Sequence, residues 1–319
     1  MKRIQWIDFL RGMAMIMIFM FHTEIYYKNY DITPYCVYTT NAIVLFYFIS
    51  GYLFYRPQLI ILKKKFLSIG QTMLFPYFIF TFSIAIIKPL LLKQQIDWQY
   101  IILNIIYGRA SWFIVALIVA EFIFSVILHI SRGKHIWLST VALLCSIIYF
   151  NIPLSHYTYW QWENALLAFV FLYVGYLFHQ FNSFFNIIKN KLYSSILLIT
   201  LIIIKIYEYN ANLPMRIIDI ENVYLFIADM ITWLIFIFTI IDNIPKCRII
   251  EWTGRHSIIY YFLCGGCPMI VSILLNKIGI AYNGYFYRYF LALILAYFLA
   301  TGLALSIIKY VPFLVGKKH

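Results

Sequence analysis

The chain has 319 residues, of which 64% are hydrophobic and only 12% are charged, and its mean hydropathy is +0.84. Soluble domains carry about 25% charged residues, so the composition excludes a soluble globular protein and predicts a multi-pass protein of the cell membrane. The formal net charge is +13. Because the basic residues stand in short clusters beside apolar runs, they indicate contact with anionic membrane lipids and exclude nucleic-acid binding.

The apolar runs predict ten membrane-spanning helices in one domain that covers residues 1–319, and therefore an all-α integral membrane bundle. In chain order the predicted spans are 8–25, 40–55, 66–88, 110–130, 136–150, 164–178, 192–207, 223–241, 257–275 and 286–308. Pro76 falls inside the third span and is expected to kink it. Residues 97–107 are too few to cross a hydrocarbon core of about 30 Å, so they are expected to form an interfacial or re-entrant segment.

The lysine and arginine residues set the expected orientation. Placing the N-terminus in the cytoplasm puts most of the 25 Lys and Arg residues on the inner side, as the positive-inside rule requires. Both termini are therefore expected in the cytoplasm. The five cysteines are scattered and predict no disulfide framework, and the sequence contains no metal-ligand spacing, phosphate loop or dinucleotide fingerprint.

The first predicted span, WIDFLRGMAMIMIFMFHTE at 6–24, carries Asp8, Arg11 and His22. Ionisable groups inside an apolar helix are costly, so they suggest a functional site. At about 100° per residue, Arg11 and His22 fall on one stripe about 16 Å apart, and Asp8 is close enough to pair with Arg11. The alternative is that His22 ends the helix at the membrane interface and Arg11 is an ordinary inner anchor.

Four motifs follow one another along the chain. They are Arg11 and His22 with ten residues between them, FYFISGYLF at 46–54, SWFIVAL at 111–117 and GRHSIIYYFL at 254–263. In this order they resemble the acyltransferase type 3 superfamily of bacterial membrane proteins, and in particular its fucose 4-O-acetylase-like branch.

This resemblance implies transfer of an acyl group, usually acetyl, from acetyl-CoA in the cytoplasm to a hydroxyl of a cell-surface carbohydrate or its precursor. His22 matches the essential histidine of the superfamily, and Arg11 matches its essential arginine. One departure is Cys264, which stands where the superfamily commonly has a second histidine.

The chemistry of such a transfer fits these residues. A sugar hydroxyl needs a base to take its proton, and a neutral imidazole such as that of His22 suits this role. Arg11 cannot act as a base because guanidinium stays protonated, but it can bind an anion with Asp8 orienting it. A donor that reaches from Arg11 to His22 must be long and thin, as coenzyme A is.

A basic cluster lies at the inner side of the second span. It consists of Arg56, Lys63, Lys64 and Lys65. These residues would suit the phosphates of the donor, and they would equally serve as an orientation signal.

Four residues are candidates for the acceptor site: Glu121, Trp112, Trp160 and Glu163. Glu121, like Asp229 in the eighth span, should face the protein interior, where it either has a structural partner or positions the acceptor. The aromatic segment HYTYWQWE at 156–163 either stacks on sugar rings or marks the membrane interface.

Two other functions stay open from the sequence. A transporter or flippase for a glycan intermediate could use the same polar stripe to line its pathway. An acyltransferase could instead act on a cytoplasmic amine or amino sugar. However, His22 lies about 21 Å from the inner end of its helix, beyond the midplane of a core about 30 Å thick, so the acceptor is expected to arrive from outside.

Overall fold

The computed structural model describes residues 4–28, 30, 33–56, 61–152, 158–182 and 189–316. The chain divides into two compact units. The first unit comprises residues 1–46 and 183–310, and the second comprises residues 47–182 and 311–319.

The helices follow the predicted apolar runs closely. They are α1 (Gln5–Lys28), α2 (Thr39–Phe54), α3 (Leu62–Ile69), α4 (Phe75–Leu92), α5 (Trp98–Ile106), α6 (Trp112–Ile130), α7 (His135–Asn151), α8 (Trp162–Gln180), α9 (Lys191–Asn210), α10 (Val223–Ile240), α11 (Arg248–Arg255), α12 (Ser257–Lys277) and α13 (Phe286–Tyr310). A short antiparallel hairpin, β1 (Met215–Arg216) and β2 (Asp219–Ile220), joins α9 to α10.

Eight helical segments in the described part of the chain are long and apolar enough to cross a membrane. They are Gln5–Lys28, Tyr35–Phe54, Leu62–Leu92, Trp112–Ile130, Lys191–Asn210, Val223–Asn243, Ser257–Lys277 and Phe286–Tyr310, and they correspond to eight of the ten predicted spans. The predicted spans 136–150 and 164–178 are also helical. However, α7 has only 17 residues, and α8 has polar residues at both ends. The prediction of a helical chain with several helices long and apolar enough to cross a membrane is confirmed. The count of ten spans and the cytoplasmic position of both termini stay predictions.

The third predicted span is longer than expected, and it is interrupted just before Pro76. A π-helical turn at Gly70–Leu74 joins α3 to α4, and the backbone N–H of Phe75 donates to the carbonyl of Gly70. Pro76 then lies at the start of α4, directly after this π-helical turn, and the helical segment continues from Leu62 to Leu92. The predicted kink at Pro76 stays a prediction. The nearby helix α5 has nine residues, too few to span, as predicted.

Glycine lets two helices of the first unit touch at their backbones. A Cβ atom added at Gly12 of α1 would overlap the carbonyl of Ile250 in α11, and one at Gly254 would overlap the carbonyl of Asp8. α1 also packs against α12 and α13. The first two turns of α1, from Gln5 to Gly12, are thus held directly against α11.

Glycines also allow helix backbones to touch in the second unit. In it α8 packs against α6 and α7, and a Cβ atom at Gly51 would overlap the carbonyl of Leu172, while one at Gly175 would overlap the carbonyl of Phe48. Gly51 of the FYFISGYLF motif and Gly175 thus bring the backbones of α2 and α8 into contact, as small residues between membrane helices do.

Replacing Gly51 by alanine is expected to lower the thermal denaturation midpoint of the protein in detergent, because overpacking of a closely packed site costs about 1–3 kcal/mol. The matched control is Gly266→Ala, also inside a helix, where nothing lies within 4 Å of an added Cβ. Equal midpoints for the two variants would contradict the close approach at Gly51.

Candidate active site

The three predicted site residues of the first span lie on one helix. α1 runs without interruption from Gln5 to Lys28, so Arg11 and His22 are separated by three turns along a single stripe, about 16 Å apart. Asp8, Arg11 and His22 are all half-buried. Each of these residues is therefore partly covered by neighbouring parts of the protein.

The Arg11 end of the stripe is covered by α11. The Nε of Arg255 lies 3.7 Å from the Oδ2 of Asp8, and the side-chain amide of Gln5 donates to Glu251 at 3.0 Å. Together with the backbone contacts at Gly12 and Gly254, these two contacts place α11 against the first turns of α1. Arg255 had not been predicted as a site residue, although it belongs to the GRHSIIYYFL motif. It adds a second guanidinium near the start of the stripe.

The His22 end of the stripe is aromatic. The imidazole of His22 stacks on Tyr26 with ring centroids 6.4 Å apart and meets Phe21 edge-on at 5.5 Å. The hydroxyl oxygen of Tyr26 would lie 3.6 Å from a Cβ atom at Gly265 in α12, next to Cys264. Tyr26 had not been predicted either, although its position four residues after His22 places it on the same helix face.

Cys264, which stands where the superfamily commonly has a histidine, is enclosed by the packing around α12. Cys264 is buried and its thiol donates to the carbonyl of Tyr261 at 2.9 Å. Cys264 and Cys267 are both free. The CGGC stretch therefore packs as small residues within α12, and Tyr26 is the polar side chain that joins this part of α12 to the turn bearing His22.

The rest of the GRHSIIYYFL motif builds an aromatic cluster between the two ends of the stripe. Phe19 of α1 meets the rings of Tyr260 and Tyr297 edge-on, and Tyr260 and Tyr297 stack on each other at 5.5 Å. The hydroxyl of Tyr260 bonds to Thr301 at 2.7 Å, and that of Tyr297 bonds to Thr253. This cluster fixes α1 against α12 and α13.

The basic cluster and Glu121 belong to the second unit, where two of the predicted residues pair with each other. The Nζ of Lys65 lies 2.8 Å from the Oε2 of Glu121 and 3.9 Å from the centroid of the Phe54 ring. Glu121 is only 6% exposed, so it does face the interior and has a structural partner. Arg56, Lys63 and Lys64 are exposed. Their predicted role with the donor stays a prediction.

The remaining acceptor candidates also lie in the second unit. Trp112 is half-buried at the start of α6. Trp160 has a left-handed backbone conformation with φ of 52°, and its N–H donates to the carbonyl of Tyr107 at 2.8 Å. Glu163 is buried in the first turn of α8. Of the aromatic segment 156–163, residues 156 and 157 lie outside the described residues.

A buried charge network in the first unit surrounds Asp229. The ammonium group of Lys205 donates to Asp229 at 2.6 Å, to Glu208 at 3.0 Å, to Asn41 at 2.8 Å and to the carbonyl of Cys36 at 2.6 Å. Asp229 is 1% exposed and Glu208 is fully buried. The expectation that Asp229 faces the interior is confirmed, and its partner is a lysine that joins α9 to α10 and to the start of α2.

Comparison with known proteins gives one match. A family model described as an acyltransferase domain, that of the acyltransferase 3 family, matches residues 4–309. No curated protein and no solved structure matches the chain. The matched stretch begins before Asp8 and ends after α12, so it includes both ends of the polar stripe on α1.

Replacing Lys205 by methionine is expected to lower the free energy of unfolding by about 3–5 kcal/mol, because it leaves two carboxylates buried without their cation. The control is Lys189→Met, which breaks a pair with Asp242 at 2.8 Å in which the carboxylate is largely exposed; such pairs are worth about 1 kcal/mol or less. Denaturant titration in mixed micelles measures both. Similar losses for the two variants would contradict a stabilising role of the buried network.

Proposed function

Because this chain belongs to the acyltransferase type 3 family and crosses the membrane several times, we propose that it transfers an acetyl group from acetyl-CoA in the cytoplasm to a hydroxyl of a cell-surface glycan or its precursor. The proposal rests on α1, whose unbroken course keeps Arg11 and His22 on one stripe about 16 Å apart. Membership of the family favours a role of this stripe in acyl transfer over a role in transport of a glycan across the membrane.

In the proposed reaction the acceptor hydroxyl attacks the thioester carbon of the donor. A bond forms between the hydroxyl oxygen and the acetyl carbon, and the bond from that carbon to the sulfur of coenzyme A breaks. His22 takes the proton of the hydroxyl as the oxygen attacks and then delivers it to the leaving thiolate. The stacked ring of Tyr26 keeps the imidazole plane in one orientation during this transfer.

The donor end of the proposed site is made by Arg11 with Arg255. Arg255 pairs with Asp8, and Arg11 follows Asp8 by three residues on the same helix. Two such guanidinium groups suit the diphosphate of coenzyme A, because each can bind phosphate oxygens through a planar pair of N–H groups. Asp8 forms an ion pair with Arg255, whose Nε lies 3.7 Å from the Oδ2 of Asp8, and this pairing limits how far the arginine side chain moves. The nucleotide then lies near α11 and the pantetheine arm follows the stripe towards His22.

The acceptor is proposed to reach His22 from the outer side of the cytoplasmic membrane. His22 lies about 25 Å along α1 from Gln5 at 1.5 Å per residue, and the basic residues favour a cytoplasmic start for this helix. Donor and acceptor would then enter from opposite faces and meet at the imidazole.

Replacing His22 by alanine is expected to lower the transfer rate by about 10²–10⁴-fold, since general-base catalysis contributes that much, while coenzyme A still binds. The assay uses sealed vesicles of known orientation with acetyl-CoA on the cytoplasmic face and an impermeant glycan on the outer face. His129→Ala is the control, because His129 is exposed near the end of α6.

The same vesicles test the side from which the acceptor arrives. Transfer that occurs only when both substrates are on the cytoplasmic face would favour a cytoplasmic acceptor.

Replacing Arg11 by alanine is expected to weaken coenzyme A binding at least about tenfold, which is the loss of one charged hydrogen bond. Arg11→Lys should restore the affinity only in part, because lysine lacks the planar fork. Calorimetry in detergent measures the affinity of the wild type, Arg11→Ala and Arg11→Lys for coenzyme A. The control is Lys28→Ala, whose lysine lies in the last turn of the same helix; this change should leave the affinity unaltered. An unchanged affinity in Arg11→Ala would restrict this arginine to anchoring.

A further inference from the structure

The ionisable side chains buried around Lys205 do not balance in charge. Glu208 and Asp229 both pair with its ammonium group, and in the described part of the chain no other basic side chain pairs with either of them. If all three groups were ionised, one negative charge would be buried among α9, α10 and the start of α2. An uncompensated charge in the interior is strongly destabilising, so the network needs one more positive charge.

The number of hydrogen atoms in the network shows the same deficit. An ammonium group has three N–H bonds, but the Nζ of Lys205 contacts four acceptors: Asp229, Asn41, the carbonyl of Cys36 and, at the longest distance of 3.0 Å, Glu208. The other carboxyl oxygens, Oε1 of Glu208 and Oδ1 of Asp229, have no hydrogen-bond partner among the residues that the structure describes. The network therefore lacks a donor as well as a positive charge.

A proton supplies both a positive charge and a hydrogen-bond donor, and it needs no additional space. The two unpartnered oxygens are buried, which leaves no room beside them for a water molecule. The two carboxyl groups are close neighbours, because Oδ2 of Asp229 and Oε2 of Glu208 lie 2.6 and 3.0 Å from the same Nζ atom. Two carboxyl groups that share one buried site in this way do not both ionise.

The 35–41 segment, which leads into α2, is fastened to this network at two points. The carbonyl of Cys36 accepts from Lys205 at 2.6 Å, and the side-chain oxygen of Asn41 accepts from the same ammonium group at 2.8 Å. Asn41 also donates to Asp229 at 3.2 Å. The position of this segment therefore depends on the arrangement of Lys205 and its carboxyl groups.

The same segment contacts the turn of α1 that carries His22. The hydroxyl of Tyr38 donates to the buried carboxyl group of Glu24 at 3.1 Å. The ring of Tyr35 meets Phe21 edge-on at 4.9 Å, and Phe21 in turn meets the imidazole of His22 edge-on at 5.5 Å. The segment thus connects the charge network to the surroundings of the proposed catalytic base.

The other groups around the 35–41 segment do not supply the missing charge. The thiol of Cys36 is buried and brings no positive charge. The basic residue of β1, Arg216, is exposed, and its guanidinium lies over the ring of Tyr35 at 5.3 Å from the ring centre. Glu24 on α1 is acidic and would only add to the negative charge.

We infer that Glu208 and Asp229 share one bound proton, and that this proton keeps the 35–41 segment in place against the His22 turn of α1. With the proton bound, the network is neutral and a carboxyl O–H supplies the missing donor. When the proton leaves, two carboxylates repel each other around one ammonium group, and the segment that this group holds loosens. The inference concerns the first unit itself, so its test needs neither an acyl donor nor an acceptor.

Infrared spectroscopy of the purified full-length protein in detergent detects the proton, because a protonated carboxyl group absorbs at a higher frequency than a carboxylate. At neutral pH the wild type is expected to show a carboxylic-acid band that is lost in Glu208→Gln and in Asp229→Asn, since the remaining carboxyl group then ionises against Lys205. The matched control is Asp242→Asn, whose carboxylate is largely exposed and paired with Lys189; it should leave the band unchanged. Equal bands in the wild type and both network variants would overturn the shared proton.

Hydrogen exchange measured by mass spectrometry tests the link to the 35–41 segment. Glu208→Gln mimics the protonated pair, because its amide is neutral and still has a donor. If opening of the segment releases one proton, the opening equilibrium of the wild type rises about tenfold per pH unit relative to that of Glu208→Gln. Peptides that cover 35–41 are therefore expected to exchange faster in the wild type by a ratio that grows with pH.

Both proteins are compared at the same pH, and peptides from α6 in the second unit serve as the internal control that should exchange equally in both. Asp229→Asn also leaves a neutral network and provides an independent comparison of the same kind. A ratio for the 35–41 peptides that stays constant from neutral to alkaline pH in both comparisons would overturn the link between the proton and this segment.

Discussion

A charged side chain on a membrane-crossing helix must find its partner inside the protein, because the hydrocarbon around it offers none and the cost of an unpaired charge is several kcal/mol. This constraint explains the arrangement of the ionisable groups on the described spans. Lys65 reaches Glu121, and Lys205 reaches Asp229 and Glu208. Glu24 accepts from the backbone of Thr33 and from the hydroxyl of Tyr38. Each pairing draws two segments together, so the charges determine which segments pack against each other.

Backbone contacts at glycines fix the relative positions of two helices more tightly than ion pairs do. An ion pair fixes two side-chain tips, but long side chains leave the helix axes free to shift. At Gly12 and Gly254 the backbones themselves touch, so α11 cannot move along α1 without a clash. The separation of Asp8 and Arg255 is then set by the backbone, and a proposed anion site built on Arg11 and Arg255 inherits that rigidity.

The sequence predicts best those features that depend on a short stretch of the chain. Apolar runs of about twenty residues located the spans, because burial in hydrocarbon acts on each segment independently. The interior positions of Glu121 and Asp229 followed from the cost of a carboxylate in lipid. The same reasoning could not identify Lys205 as the partner of Asp229, or Arg255 as that of Asp8, since the first depends on how α9 packs against α10 and the second links residues at opposite ends of the chain.

Pro76 shows a different limit. A proline inside an apolar run predicts a local disturbance of the helix, but the sequence does not show what form that disturbance takes. Here a π-helical turn at Gly70–Leu74 stands directly before Pro76, and the helical segment continues to Leu92. Tyr26 was overlooked for another reason: a tyrosine near a membrane interface is so common that its spacing from His22 carries little weight until α12 is seen beside it.

The pairing of α1 with α11 has a consequence for how the protein is made. Gln5 and its partner Glu251 are 246 residues apart in the chain, and a ribosome adding about 5–20 residues per second needs between about 12 and 50 s to bridge that interval. Throughout this time α1 is already emerging while α11, α12 and α13 do not yet exist. Until then α1 must stay in the bilayer through its own apolar residues. The helix that carries the proposed catalytic histidine is thus synthesised well before the three helices that complete its contacts.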